Sequence, residues 1–232
     1  MSDRVTAELF VPVHFDIVNH VGYIVLCNPP ENRMNMQFFR CMKEIVAAIK
    51  KSDTLRGLII CSQGRHFSSG ADLDELAGVL QCGAGVENHR NINEQLQVLD
   101  ENTQCFLDIA CFDYPVVAAL QGLCMGSALE LALCADVRIV EERVTLGLPE
   151  VHYGVIPGCG GTVRLTKLVG AAKALELILS GQLLSAEDAC AAGLADMVVP
   201  RKTAVVKARE LLMNTGRGCS KADFAAMVRN TR

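Results

Sequence analysis

Along most of this chain, short apolar runs alternate with stretches of helical periodicity, and that alternation commits it to an α/β fold. Val21–Cys27 follows the alternating Phe15 and Ile17 with only Asn19-His20 between, the pattern of a two-strand hairpin, and Pro29-Pro30 ends it. From Phe38 onward, Phe38, Met42, Ile45 and Ile49 form one helical stripe, with Lys43, Glu44, Lys50 and Lys51 on the other faces. Leu58–Cys61 reads as a buried strand. A long helix then carries Ile92, Leu96, Leu99, Phe106 and Ala110, until Pro115 forces an extended entry into Val116–Leu120. Gly126 to Cys134 reads as helix, Val137–Val140 and Val144–Leu146 as strands, and Thr162 to Leu179 as helix broken near Gly170. Ser185 to Asp188 has the form of a capping box opening a short helix that Gly193 stops, and Met197–Val199 is a last strand. The repeating unit is strand, strand, helix.

The 232 residues suffice for one substantial core with an appendage. The division expected is a core over residues 1–200 and a helical tail over 201–232, in which Val205–Met213 forms one helix. Lys221–Arg232 forms a shorter one, held by Phe224 and Met227 or Val228. Acidic side chains number 26 against 22 basic ones, mixed along the chain, and a net charge of −4 with no basic run gives no footing to nucleic acid. The opening residues lack an apolar signal core and no apolar stretch is long enough to span a membrane, so a cytoplasmic protein is expected. Eleven cysteines, an odd number without a Cys-x-x-Cys pair, sit mostly in apolar runs. Cys27, Cys61 and Cys134 are therefore expected to act as small buried hydrophobes rather than as disulfides or metal ligands.

Two segments leave the carboxyl end of a strand and enter a helix through glycine. They are His66-Phe-Ser-Ser-Gly-Ala-Asp-Leu73 and Gln121-Gly-Leu-Cys-Met-Gly-Ser-Ala-Leu-Glu130. The opening N–H groups of a helix have no carbonyl partner, so two such starts facing one another can offer one donor each, from Ala71 and Ser127, to a single oxygen that gathers negative charge. The competing reading is plain capping, because Ser69-x-x-Asp72 and Ser127-x-x-Glu130 both match the capping box.

These residues resemble the enoyl-CoA hydratase/isomerase (crotonase) family. Phe67-Ser-Ser-Gly-Ala-Asp-Leu73 is similar to its first oxyanion loop and Gln121 to Asp136 to its second. Leu148-Pro-Glu150, Gly154 to Thr162, and Arg164-Leu165 are similar to the segment bearing its second catalytic acid. Ser185–Gly193 and Val198-Val-Pro200 extend the likeness, which runs from about Phe15 to Pro200. The resemblance implies a spiral of strand-strand-helix turns forming two nearly perpendicular sheets with a helical tail, assembled as a homotrimer or hexamer.

It also implies roles. Glu130 and Glu150 match the two glutamates with which the family's hydratases add water to a 2-enoyl-CoA thioester. Ala71 and Ser127 supply the oxyanion N–H groups, and Gly158 helps place the water. Arg33, Arg65, Ser69, Asp72 and Leu73 lie where relatives hold coenzyme A, which belongs to the substrate; no separate cofactor or metal is expected. Ser127 replaces the family's usual glycine, and the chain stops at Arg232, which implies a more open acyl pocket or one closed by a neighbouring subunit. Two alternatives stay open: double-bond isomerisation with Glu150 as proton shuttle, and a non-catalytic acyl-CoA-binding subunit.

Overall fold

The computed structural model describes residues 11–75, 101–215 and 219–230. β1 (Val13–Val18) and β2 (Val21–Leu26) make the expected antiparallel hairpin. Asn19 and His20 turn it with φ of 52° and 67°, both left-handed, as a two-residue hairpin loop requires. α1 (Met36–Ile49) starts at Asn35, whose side chain accepts the Phe38 N–H at 2.9 Å. It buries Phe38, Met42, Val46 and Ile49, whereas Ile45 lies half-buried beside that stripe.

β3 (Gly57–Ser62), β4 (Val116–Leu120), β6 (Val137–Glu141) and β9 (Met197–Val199) add in parallel to β2, giving a six-stranded sheet in the order β1-β2-β3-β4-β6-β9. A second sheet of three short strands, β5 (Leu123–Met125), β7 (Thr145–Gly147) and β8 (Leu184–Ser185), runs in the order β5-β7-β8. β4 passes directly into β5 through Gln121-Gly122, and β6 into β7 through a tight turn, so the chain leaves the large sheet for the small one twice. Gly122 bends with φ of 59°; a side chain there would collide with the Arg65 carbonyl and the His66 ring. β5 had no signal in the sequence, because three residues are too few to show a two-residue period.

Helices follow each strand pair. The part of α2 that is described covers residues 101–110; of its expected stripe, Phe106 is buried and Ala110 half-buried, while Ile92, Leu96 and Leu99 lie outside the described residues. α3 (Ser127–Ala132) is shorter than expected. A 3₁₀ turn (Pro149–Tyr153) leads to α4 (Gly161–Val169) and α5 (Ala171–Ser180), divided at Gly170 as the sequence indicates. α6 (Ala186–Ala191) is capped by Ser185, whose hydroxyl oxygen accepts the Asp188 N–H at 3.1 Å. None of these helices is long and apolar enough to cross a membrane.

The main sheet is buried on both faces because neighbouring residues of each strand point to opposite sides. Ile60, Ala118 and Val140 join Phe38, Met42 and Phe106 in one core. Ile59, Val117 and Ile139 join a second core with Ala204, Ala208 and Leu212 of α7 (Ala204–Asn214) and Phe224 and Val228 of α8 (Lys221–Arg229). The tail thus covers a face of the sheet rather than hanging from it. A buried ion pair pins it: Arg138 Nη2 meets Asp196 Oδ2 at 2.6 Å, and Arg229 Nε reaches the other oxygen at 3.0 Å. Both Arg138 and Asp196 are buried, and the Arg138 guanidinium also donates to the Leu194 and Ala135 carbonyls, which a buried charge needs.

Of the two residues offered beside Phe224 to hold the final helix, Val228 is buried and Met227 is 40% exposed. One expectation needs correction. Cys27 is only half-buried and its thiol donates to the Val11 carbonyl at 3.1 Å; Cys61 and Cys134 are buried as expected. Phe224→Ala should destabilise the fold by about 3–5 kcal/mol in urea denaturation, as loss of a buried ring does. Met227→Ala, on the wet side of the same helix, should stay within about 0.5 kcal/mol.

Candidate active site

The two glycine turns meet main chain to main chain. Phe67 N–H bonds to the Gln121 carbonyl at 2.7 Å, Ser68 N–H to the Leu123 carbonyl at 3.0 Å, and Met125 N–H to the Ser68 carbonyl at 3.2 Å. Gly70 then passes so near the second turn that a methyl group on it would stand 2.6 Å from the Met125 carbonyl oxygen and 3.6 Å from the Ser127 nitrogen. Its φ of 96° also excludes other residues, and the Ser68 hydroxyl accepts its N–H at 3.0 Å. Ser68 is a shaping residue that sequence reasoning missed; its only signal was a serine two places before a glycine. The Ala71 and Ser127 N–H groups that follow these contacts make no hydrogen bond among the described residues.

Capping by Ser69 and Ser127 does not account for these turns. α3 is preceded by Gly126, with no side-chain cap, and the Ser127 hydroxyl is buried without a partner. In the first turn it is Asp72, not Ser69, that caps: its Oδ1 accepts from Asp74 N–H at 3.1 Å and Glu75 N–H at 3.4 Å.

Glu130, 2% exposed, sits one turn into α3. Rather than turning back to the helix start, its Oε1 accepts the Cys159 N–H at 2.8 Å and the Gly161 N–H at 2.7 Å. Burial raises its pKa from the usual carboxylate range, while those amides, the Gly158 amide and the nearby Arg164 guanidinium oppose the rise. Arg164 is a second residue that sequence reasoning gave no role; its Nη1 donates to the Cys159 carbonyl at 2.6 Å and so braces the turn that grips Glu130.

Glu150 comes from the 3₁₀ turn and lies against the beginning of α3, where a methyl on Gly126 would stand 3.2 Å from its Oε1. Its other oxygen is buried and unpartnered. Burial, with the Glu130 charge adding to it, pushes the Glu150 carboxyl up to about 7. The structure therefore brings Glu130, Glu150, Ala71 and Ser127 to one place. Gly158 stands at the exposed rim of the Glu130 turn, its carbonyl accepting from the Thr103 hydroxyl at 3.2 Å.

The remaining expected residues are spread around the mouth. Arg33 is exposed and paired with Glu31, and Ser69 N–H bonds to the Glu31 carbonyl at 2.9 Å. Asp72 is half-buried and Leu73 exposed. Arg65 instead lines a separate cavity whose walls include none of Arg33, Ser69, Asp72 and Leu73. Among the described residues no cluster of His, Cys, Asp or Glu is placed to hold a metal ion.

The sequence model of the enoyl-CoA hydratase/isomerase family matches residues 16–229. The chain belongs to that family. A probable enoyl-CoA hydratase of Bacillus subtilis is 35% identical over 196 residues, covering 83% of this chain and 70% of the relative. The fatty acid oxidation complex subunit alpha of Vibrio cholerae is 36% identical over 203 residues, which are 85% of this chain but 27% of that much longer protein. Among solved structures, an enoyl-CoA hydratase from Bacillus anthracis superposes with a TM-score of 0.78 at 29% identity, covering 95% of this chain and 83% of that one. One from Thermoplasma volcanium gives 0.77 at 30%, covering 96% and 84%. The architecture is thus the crotonase fold expected from the sequence.

Coupling between the two acids is directly measurable. Carbon-13 NMR titration of the side-chain carboxyls should place Glu150 near pH 7, and Glu130→Gln should lower that value by removing the neighbouring negative charge.

Proposed function

We propose that this protein catalyses the reversible addition of water to the double bond of a 2-enoyl-CoA thioester. The observation that carries the proposal is the convergence of two electrically coupled carboxyls, Glu130 buried and Glu150 half-buried, with two unpartnered backbone amides at the glycine turns. Glu130, whose Oε1 holds two backbone donors, is the member better suited to the anion; Glu150, with a bare buried oxygen and a pKa near 7, is suited to carry the proton.

In the forward reaction Glu130 removes a proton from water as its oxygen bonds to Cβ. The π electrons move toward the thioester carbonyl, whose oxygen becomes an enolate oxyanion held by the Ala71 and Ser127 N–H groups. Glu150 gives its proton to Cα. The cycle closes when the proton on Glu130 returns to Glu150, and Gly158, beside the Glu130 turn, helps seat the water.

Coenzyme A would be held by Arg33 through its phosphates, Arg65 lying instead on the separate cavity. Its adenine would be held by the backbone of Ser69, whose carbonyl is the group left by the Glu31 bond, together with Asp72 and Leu73. We propose a homotrimer or hexamer as the working form. Tyr153, Ile156, Leu175 and Leu179, exposed by 60%, 71%, 58% and 62%, provide apolar surface on the 3₁₀ turn, the segment after it and α5 for neighbouring copies. A monomer by light scattering at micromolar concentration would exclude this assembly.

Hydration of crotonyl-CoA, followed by loss of the conjugated thioester absorbance, tests the reaction. Glu130→Gln and Glu150→Gln should each lower kcat by about 10²-fold or more. A 3-enoyl-CoA converted only to conjugated product, or tight acyl-CoA binding without turnover, would replace this reading with isomerisation or with a binding subunit.

The pH dependence follows from the sign of the Glu150 shift. The acid form is needed to protonate Cα, so kcat/KM for hydration should fall as pH rises through about 7, and that limb should vanish in Glu150→Gln. Stability moves the same way. A carboxyl whose folded pKa is raised stabilises the fold below its unfolded value, and that contribution is lost as pH rises through 7. Ser127→Gly should retain activity, because the backbone N–H survives; an inactive, folded variant would show that the buried hydroxyl has its own role.

A further inference from the structure

A cavity of about 520 Å³ opens at the carboxyl ends of β3, β4, β6 and β9, bounded by Ser62, Gln121 and Glu141 where three of these strands end. Four cations from three separate loops line it: Arg65 after β3, Arg143 in the β6–β7 turn, and Arg201 and Lys202 after β9. None of them makes an ion pair among the described residues, and the four share one wall instead of standing apart on the surface. Among the described residues the Glu141 carboxylate is the one acidic side chain in the lining, against four cations. Like charges gathered without counter-ions repel, so this cluster does not serve the stability of the empty protein.

Three further features point the same way. α7 starts at this cavity, and its N-cap residue, Thr203, spends its hydroxyl on the Pro200 carbonyl at 2.6 Å, so the helix's first N–H groups have no side-chain cap. Lys202 is held at φ of 63°, a left-handed conformation unusual for lysine, between Arg201 and that helix start. His66 Nδ1 accepts the Leu123 N–H at 3.1 Å, which puts the ring proton of the neutral form on Nε2 and makes the ring one more donor on a lining residue.

We infer that this cavity is a binding site for a phosphate-bearing small molecule of about nucleotide size, distinct from the acyl-thioester site. Arginine forks, an ammonium and a free helix start are the donors that suit phosphoryl oxygens. The volume lies within the range of small-ligand pockets, and Leu123 and Val205 offer apolar wall for the rest of the molecule. Glu130, Glu150, Ala71 and Ser127 are absent from its lining.

The test uses the full chain and two probes, inorganic pyrophosphate and adenosine 3′,5′-bisphosphate, the nucleotide end of coenzyme A, with binding read by calorimetry at low salt. Pyrophosphate should bind saturably, and the triple variant Arg143→Ala, Arg201→Ala, Lys202→Ala should bind it at least tenfold more weakly. That variant should keep its melting temperature and keep kcat and KM for crotonyl-CoA within twofold of the parent chain. Absence of saturable binding, or equal binding by the variant, overturns the site. A tenfold rise in KM at constant kcat, together with lost adenosine 3′,5′-bisphosphate binding, overturns its separateness and makes it the coenzyme A seat. Should the protein fail to hydrate any enoyl thioester, the pyrophosphate comparison still decides this inference on its own.

Discussion

The contact on which the site depends is backbone against backbone. The segment from Phe67 to Gly70 lies along Gln121 to Ser127 closely enough to exchange hydrogen bonds, and at Gly70 there is no space for even one carbon. This contact joins the large sheet to the small one and leaves the next two amides, those of Ala71 and Ser127, without partners. A backbone donor placed this way costs no side-chain entropy to orient, and its position is set by the packing of two sheets rather than by a rotamer.

The carboxylates are placed by a second device. Glu130 would be too costly to bury alone; the Cys159 and Gly161 amides, in a turn braced by Arg164, make the burial tolerable. Glu150 has only its own backbone amide to oppose burial, and it holds its proton to a higher pH. Two residues of one chemical type thus acquire opposite tendencies from their surroundings, a division of labour that acid–base chemistry on a double bond requires.

Much of the architecture was legible from the chain. The hairpin at Asn19-His20, the α1 stripe, the break at Gly170 and the cap at Ser185 are local, governed by neighbouring residues and short-range sterics. β5 was invisible because its three residues acquire strand character only by pairing with Thr145–Gly147. Ser127-x-x-Glu130 read equally well as a capping box, since nothing in four residues tells that Glu130 will find the amides of residues 159 and 161 instead of its own helix start.

What the sequence determined by itself was the α/β class, the helix and strand order, and the family resemblance of its glycine turns, because periodicity, caps and positive-φ glycines act within a few residues of one another. Tertiary structure alone decided that Glu130 is buried and clamped, that Glu150 is pushed toward neutrality, and that Arg65 shares a cavity wall with Arg143, Arg201 and Lys202. Those outcomes depend on desolvation and on groups brought together from far along the chain, and neither burial nor distance is written in a local pattern of residues.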